Sequence, residues 1–191
     1  EQIAQAAAAQ YRAKGVAKQI AKLEEKDRSP TEDKLLEQCL VRRTRHTGPG
    51  GQHRNKVETA IEIVHQPTGI TSFAGEERSQ ETNRREAVFR LRLLLALKIR
   101  SVHSSEVYPS KLWQARCRNQ RISCNERHAD FPTLIAEALD AVDAKDADVR
   151  RAAAALGCST SQLVRFLARM PEALQRVNEA RAEKGLHRLL P

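Results

Sequence analysis

At 191 residues the chain is long enough for one substantial domain or two small ones, either with a real core. Lys and Arg total 33 against 24 Asp and Glu, and the formal net charge of +9 favours a polyanionic partner, either nucleic acid or an anionic membrane face. An aromatic content of 4%, with Trp113 the single tryptophan, speaks against base stacking on an aromatic platform. The four cysteines, Cys39, Cys117, Cys124 and Cys158, lack the paired spacing of a zinc site, so no metal and no cofactor is expected. Residues 1 to 10 carry no secretory pattern, and the most apolar run, 91 to 99, is interrupted by Arg92 and Lys98. The expectation is a soluble, cytoplasmic protein without a membrane partner.

In chain order, residues 1–30 are rich in Ala, Gln, Lys and Glu and are predicted to form a helical extension, closed by Ser29-Pro30. Thr31 can cap a short helix carrying Leu35, Leu36 and Leu40. Val57, Thr59, Ile61 and Ile63 alternate with Glu58, Ala60, Glu62 and Val64, the period of a half-buried strand. Pro67-Thr68-Gly69 marks a turn, and residues 70–73 return as a second strand. From 81 to 100 the spacing becomes helical, with Ala87, Leu91, Leu94, Leu95 and Ile99 on one face. The segment 101–130 is polar and carries Arg116, Arg118 and Arg121, and it reads as a basic connector. Helices are predicted near 132–143, 148–156, 160–169 and 171–184, with Pro171 in a first turn and Gly185 as a stop.

Chemistry concentrates between residues 42 and 56. Gly48, Gly50 and Gly51 around Pro49 exclude helix and strand and require an exposed loop. Arg42, Arg43, Arg45, Arg54 and Lys56 flank it, and the stretch contains no acid. Such a loop presents bare backbone N–H groups in a positive field, a device for approaching phosphate or ester oxygens. Glycine content alone favours a flexible, solvated basic loop.

The order of motifs adds a second signal. Thr47-Gly48-Pro49-Gly50-Gly51-Gln52-His53 is followed by Asn55-Lys56, Glu58-Thr59-Ala60, His65-Gln66-Pro67-Thr68-Gly69-Ile70, Glu77-Arg78-Ser79-Gln80 and Asn83-Arg84. From Arg45 to Leu93 this text resembles the catalytic domain of class I peptide chain release factors and their ribosome-rescue relatives. The resemblance implies an α+β fold with a small catalytic domain, residues 31–100, built from a mixed β-sheet and a packed helix. A helical carboxy-terminal domain, 131–191, would follow the connector.

It also implies an activity: ribosome-dependent hydrolysis of the peptidyl-tRNA ester bond. Gly50, Gly51 and Gln52 would be catalytic, with the Gln52 backbone N–H aimed at the oxyanion and its side chain admitting water. Arg42, Arg43, Arg45, His53, Arg54, Asn55, Lys56, Arg78, Gln80 and Arg84 would contact RNA. The implied partners are large-subunit rRNA at the peptidyl-transferase centre and P-site peptidyl-tRNA, and a monomer is what a factor entering the ribosomal tRNA site would be. His46 and His53 take flanking or packing roles, and the ribosome completes the site. Arg54 departs from the small or neutral residue usual at its position in the family. The 45 or so residues ahead of the loop match no codon-reading domain, so release on stalled ribosomes is expected. Two alternatives stand beside this: a non-catalytic ribosome- or RNA-binding protein, and a DNA-binding regulator. The latter would act through the helix-turn-helix-like stretch 149–168, with Ser159 and Gln162 as a capping box and Gln162, Arg165 and Arg169 on the nucleic acid.

Overall fold

Short connections and alternating apolar residues dictate the first part of the chain. A computed structural model describes residues 32–45, 58–99 and 109–191. The expected helical extension 1–30 and the glycine loop therefore lie outside the described residues. The chain divides into two compact units, Glu1–Leu95 and Ala96–Pro191.

In the first unit a short helix α1 (Glu32–Leu36) precedes strand β1 (Cys39–Thr44). Strands β2 (Ala60–His65) and β3 (Ile70–Ala74) follow, then helix α2 (Gln80–Lys98). The strand order is β1-β2-β3, and both pairings are antiparallel. Among the described residues the sheet is therefore antiparallel throughout, where a mixed sheet was expected. Residues 66–69 are too short a link for a parallel pair, which needs a crossover of about a dozen residues. A second correction concerns Leu40, assigned to the helix from sequence. The helix ends at Leu36, and Leu40 stands opposite Val64 in a strand the sequence pattern did not reveal.

Residues Ile61 and Ile63 turn to one face of the sheet, where they meet Ala87, Val88 and Leu91 of α2 together with Leu35, Ile70 and Ala74. Small residues allow a close approach: Ala74 and Ala87 are fully buried, and the Ser72 hydroxyl donates to the Ala87 carbonyl at 2.8 Å. Of the predicted helix face, Ala87 and Leu91 are buried and Leu94 and Leu95 pack at the margin. Ile99 is exposed, and Val88 takes a core position instead.

In the second unit the stretch read as a basic connector is folded throughout its described part. Helix α3 (Lys111–Arg116) leads into a two-stranded ribbon, β4 (Cys117–Arg118) and β5 (Arg121–Ile122). Helices α4 (Phe131–Ala144), α5 (Val149–Ala155), α6 (Thr160–Ala168) and α7 (Pro171–Glu183) follow, close to the predicted spans. The connector reading failed because a few isolated apolar residues anchor this stretch. Trp113 is fully buried, donates Nε1–H to the Leu156 carbonyl at 2.8 Å, and meets Phe166 edge-on at 5.9 Å. The buried Glu137 carboxylate accepts from the Ser110 backbone N–H at 2.7 Å and from its hydroxyl at 2.5 Å, fixing the start of α3.

The α5–α6 hairpin turns at Gly157, whose φ of +68° closes α5 while the Cys158 N–H reaches the Ala153 carbonyl. Half of the expected capping box forms. The Ser159 hydroxyl accepts from the Gln162 N–H, but the Ser159 N–H goes to the Gln120 carbonyl. Gly185, at φ +66°, terminates α7 as expected. No helix among the described residues is long and apolar enough to cross a membrane.

Candidate functional site

Gly50, Gly51, Gln52, His53, Arg54, Asn55 and Lys56 lie outside the described residues. Both ends of the connection that contains them are described, and they are neighbours. Thr44 at the end of β1 pairs with Ala60 at the start of β2, and Arg45 Nε reaches Glu58 Oε1 at 3.2 Å. The chain that leaves β1 therefore returns to the adjacent strand beside its point of departure.

Asn83 fixes that return point. It is fully buried near the start of α2, and its amide makes three hydrogen bonds. Nδ2 donates to the Thr59 carbonyl at 2.8 Å and to the Glu77 carbonyl at 2.9 Å, while Oδ1 accepts from the Glu77 N–H at 3.0 Å. One side chain thus joins the entry of β2, the loop 75–79 and the first turn of α2. Ser79 caps that turn, its hydroxyl accepting from the Thr82 N–H. On the other side of the loop, Arg90 donates to the Phe73 carbonyl and to Glu76 and Glu86. The hydrogen bond from Arg90 holds the Glu76 carboxyl below its ordinary range.

Since β3 ends at Ala74, opposite Ile61, the loop 75–79 and the start of α2 come to the end of the sheet where the glycine connection is anchored. Arg78, Gln80 and Arg84 are therefore brought together with the carboxy-terminal end of β1. The three β1 arginines are not equivalent. Arg42 stands opposite Glu62 and Arg43 opposite Ile61, so they project to opposite faces. Arg42 faces Glu62 at 3.9 Å and Arg45 is paired with Glu58. Arg43, Arg78 and Arg84 are exposed and make no hydrogen bond or ion pair among the described residues. These three guanidinium groups are open to an external anion.

At the opposite end of the sheet the motif residues are occupied with the fold itself. The buried His65 ring takes Thr68 Oγ1 at 2.7 Å on Nδ1 and Gln38 Oε1 at 3.2 Å on Nε2. Gln38 Oε1 is an acceptor, so Nε2 carries the proton and Nδ1 accepts from the Thr68 hydroxyl. Burial lowers the His65 pKa, in agreement with a neutral ring. Gly69, at φ +70°, completes the turn with its N–H on the His65 carbonyl. The structural role of Gln38 escaped the sequence reading, because no local pattern links it to a residue 27 positions away.

The thiols offer no nucleophile. Burial raises the pKa of Cys39, Cys117 and Cys124, and burial together with the nearby Cys117 pushes Cys158 up to about 12. In the helical hairpin, Arg169 is exposed and one of its Nη groups donates to the Cys124 carbonyl. Arg165 remains exposed on α6.

Comparison with known proteins adds the family. The RF-1 domain family matches residues 36–132, half of the chain. Peptide chain release factor 1 of Caldicellulosiruptor bescii is 46% identical over 87 residues, covering 44% of this chain and 23% of that protein. Peptide chain release factor 1 of Xylella fastidiosa is 40% identical over 90 residues, covering 46% and 24%. The chloroplastic peptide chain release factor PrfB1 of Arabidopsis thaliana is 44% identical over 64 residues, covering 34% and 14%. The chain thus spans less than a quarter of the length of these relatives. No solved structure matches it at a significant level. The ordered motifs, the braced sheet that carries them and the match over residues 36–132 together assign the chain to the class I peptide chain release factor family.

Proposed function

We propose that the chain hydrolyses the ester bond of peptidyl-tRNA on the ribosome and frees nascent peptide from stalled complexes. The observation that carries the reading is Gly50-Gly51-Gln52 within the β1–β2 connection of a release-factor family member. Its support is the anchoring of that connection: Thr44 paired with Ala60, Arg45 with Glu58, and Thr59 held by Asn83. A catalytic backbone amide needs such a base, because oxyanion stabilisation depends on a donor held at the right distance before charge develops.

Ester hydrolysis passes through a tetrahedral intermediate with negative charge on oxygen. The Gln52 backbone N–H donates to that oxygen, and Gly50 and Gly51 allow the close approach and the torsions it requires. The Gln52 side chain fills the site and admits water in preference to larger nucleophiles. The tRNA terminus and rRNA complete the site, so the free protein is inert, with no cofactor. Arg43, Arg78 and Arg84 supply uncompensated positive charge for the rRNA backbone, aided by Arg42, Arg45, His53, Arg54, Asn55, Lys56 and Gln80. The protein acts in the cytoplasm as a monomer.

The test is release of labelled peptide from ribosomes with peptidyl-tRNA in the P site. The A site holds no mRNA, a sense codon or a stop codon. Release in the arm without mRNA, reduced about 100-fold or more in Gly51→Ala, is the expected outcome. Release only with a stop codon replaces rescue by termination. Ribosome binding without release in any arm replaces catalysis by a binding role.

A further inference from the structure

The second unit carries a basic feature that the peptide-release chemistry does not use. Across the β4–β5 ribbon, Cys117 pairs with Ile122 and Arg118 with Arg121. Paired residues share a face, so the ribbon is two-sided. Its inner side holds the buried Ile122 and the Cys117 thiol, which donates to the Gly157 carbonyl at the turn of the helical hairpin. Its outer side holds two exposed guanidinium groups as direct cross-strand neighbours. Neither has a hydrogen bond or an ion pair among the described residues. Like charges placed opposite each other on a ribbon are destabilising. The arrangement is therefore one that an external anion would relieve.

The ribbon is also tied to the rest of its unit. Asn119 and Gln120 both have positive φ, 49° and 60°, which is the backbone of a two-residue hairpin turn matched to strand twist. Asparagine tolerates that conformation, whereas glutamine ordinarily avoids it. Gln120 is held there by its carbonyl, which accepts the Ser159 N–H at the start of α6. The third arginine of the segment, Arg116, fixes the base: Nε and Nη2 both donate to Asp130 Oδ2, at 2.9 and 2.7 Å. Ala115, Arg116, Arg118, Arg121 and Ser123 line a groove of about 280 Å³ beside the ribbon.

We infer that this groove is a second RNA contact, in which Arg118 and Arg121 bind neighbouring phosphates of an RNA backbone. The inference rests on the ribosomal reading above for its choice of RNA. It is independent of the glycine loop, because every residue it uses belongs to the second unit. A point charge would suffice for a metal-bound or diffuse anion; two planar, forked guanidinium groups on one ribbon suit phosphate oxygens at fixed spacing. Base-edge readout of duplex DNA by the hairpin is the weaker use of this unit. Within α6 Arg165 is the one cation, and Arg169 just past its end shares one Nη group with the Cys124 carbonyl.

The test measures binding of the full chain to vacant ribosomes across a salt series, with a DNA duplex as a second probe. Arg118→Gln combined with Arg121→Gln removes two phosphate contacts. Ribosome binding should weaken about tenfold at physiological salt, and the slope of log affinity against log salt should fall by roughly 1.5–2. Arg150→Gln combined with Arg188→Gln removes the same charge from other exposed positions and should stay within about twofold. Unchanged melting temperatures in both variants would show that the fold is intact. An unaltered slope in the ribbon variant overturns the inference. So does an equal loss in the control, which would leave only long-range net charge, or a loss confined to the DNA duplex. Gly51→Ala separates the two readings, since it should abolish release while leaving ribosome binding and its ribbon dependence in place.

Discussion

The two ends of the three-stranded sheet carry motifs of equal prominence in the sequence, yet they are put to different uses. At the β2–β3 end, His65, Thr68, Gly69 and Gln38 bind one another or the backbone of the turn, and His65 is buried. At the β1–β2 end, Asn83 and Arg90 hold the backbone from behind while Arg43, Arg78 and Arg84 have no partner among the described residues. A motif residue whose hydrogen-bonding groups are all occupied by its own domain has a structural task. One that is exposed beside a braced backbone is open for an external ligand. The family pattern therefore contains residues occupied by the architecture and residues left open by it, and hydrogen-bond partners separate the two.

The largest effect on the fold should come from Asn83→Ala. The substitution leaves the Thr59 and Glu77 carbonyls and the Glu77 N–H without their partner, in a position that is fully buried. A destabilisation of about 3 kcal/mol is expected by chemical denaturation. Because Thr59 anchors the return of the glycine connection, peptide release should also fall in the fraction that remains folded. A fully active, fully stable variant would show that the brace is dispensable and would erase the contrast between backbone support and exposed surface.

Gly69→Ala strikes the other end and should cost less, about 1–2 kcal/mol. An added Cβ would meet no atom within 4 Å, so the cost is conformational and comes from φ +70°. Thermal unfolding should register it, while release at a temperature where the variant is folded should match the parent. Loss of release in a folded Gly69→Ala protein would mean that the two ends are coupled.

A smaller effect is expected from pH. His65 is neutral when folded because burial lowers its pKa, whereas the unfolded chain takes up a proton near its ordinary value of about 6.5. The unfolded state then binds more protons below that pH, so stability contributed by His65 is complete above about 6.5 and declines as the pH falls. The Glu76 carboxyl, held down by Arg90, loses its contribution only at still lower pH, below the ordinary carboxylate value. Unfolding midpoints measured between pH 7 and 5 should fall in the parent and fall less in His65→Gln. An equal decline in both would remove His65 as the cause.

Sequence periodicity revealed β2, β3, α2 and the four carboxy-terminal helices, because each presents a regular apolar spacing to a core. It missed β1, an edge strand with Arg42 and Arg43 in its middle and Leu40 and Val41 exposed, which has no buried face to impose a period of two. It missed the ribbon because two-residue strands are too short for any period, and Trp113 acts alone as the anchor. For the site, the motif named Asn83 but could not show that its amide spans residues 59, 77 and 83. Long-range hydrogen bonds leave no local trace. Gln38 escaped for the same reason, as did the internal use of Arg169.

The smallest change in stability should accompany the most specific change in function. Arg78→Gln and Arg84→Gln remove exposed groups that bind nothing within the described residues, so each should alter folding free energy by less than about 0.5 kcal/mol. Each should still weaken ribosome engagement, because an unpaired guanidinium at the braced end has an external phosphate as its natural partner. Arg85→Gln on the same helix is the matched control, since Arg85 is already paired with Glu81 at 3.1 Å. In a release assay run below saturation, Arg78→Gln and Arg84→Gln should require several-fold more protein for the same rate, with the rate at saturation nearly unchanged. That pattern would mark them as binding rather than catalytic groups. Should Arg85→Gln raise the requirement equally, overall charge would account for the effect, and the distinction between occupied and open side chains at this end of the sheet would lose its functional meaning.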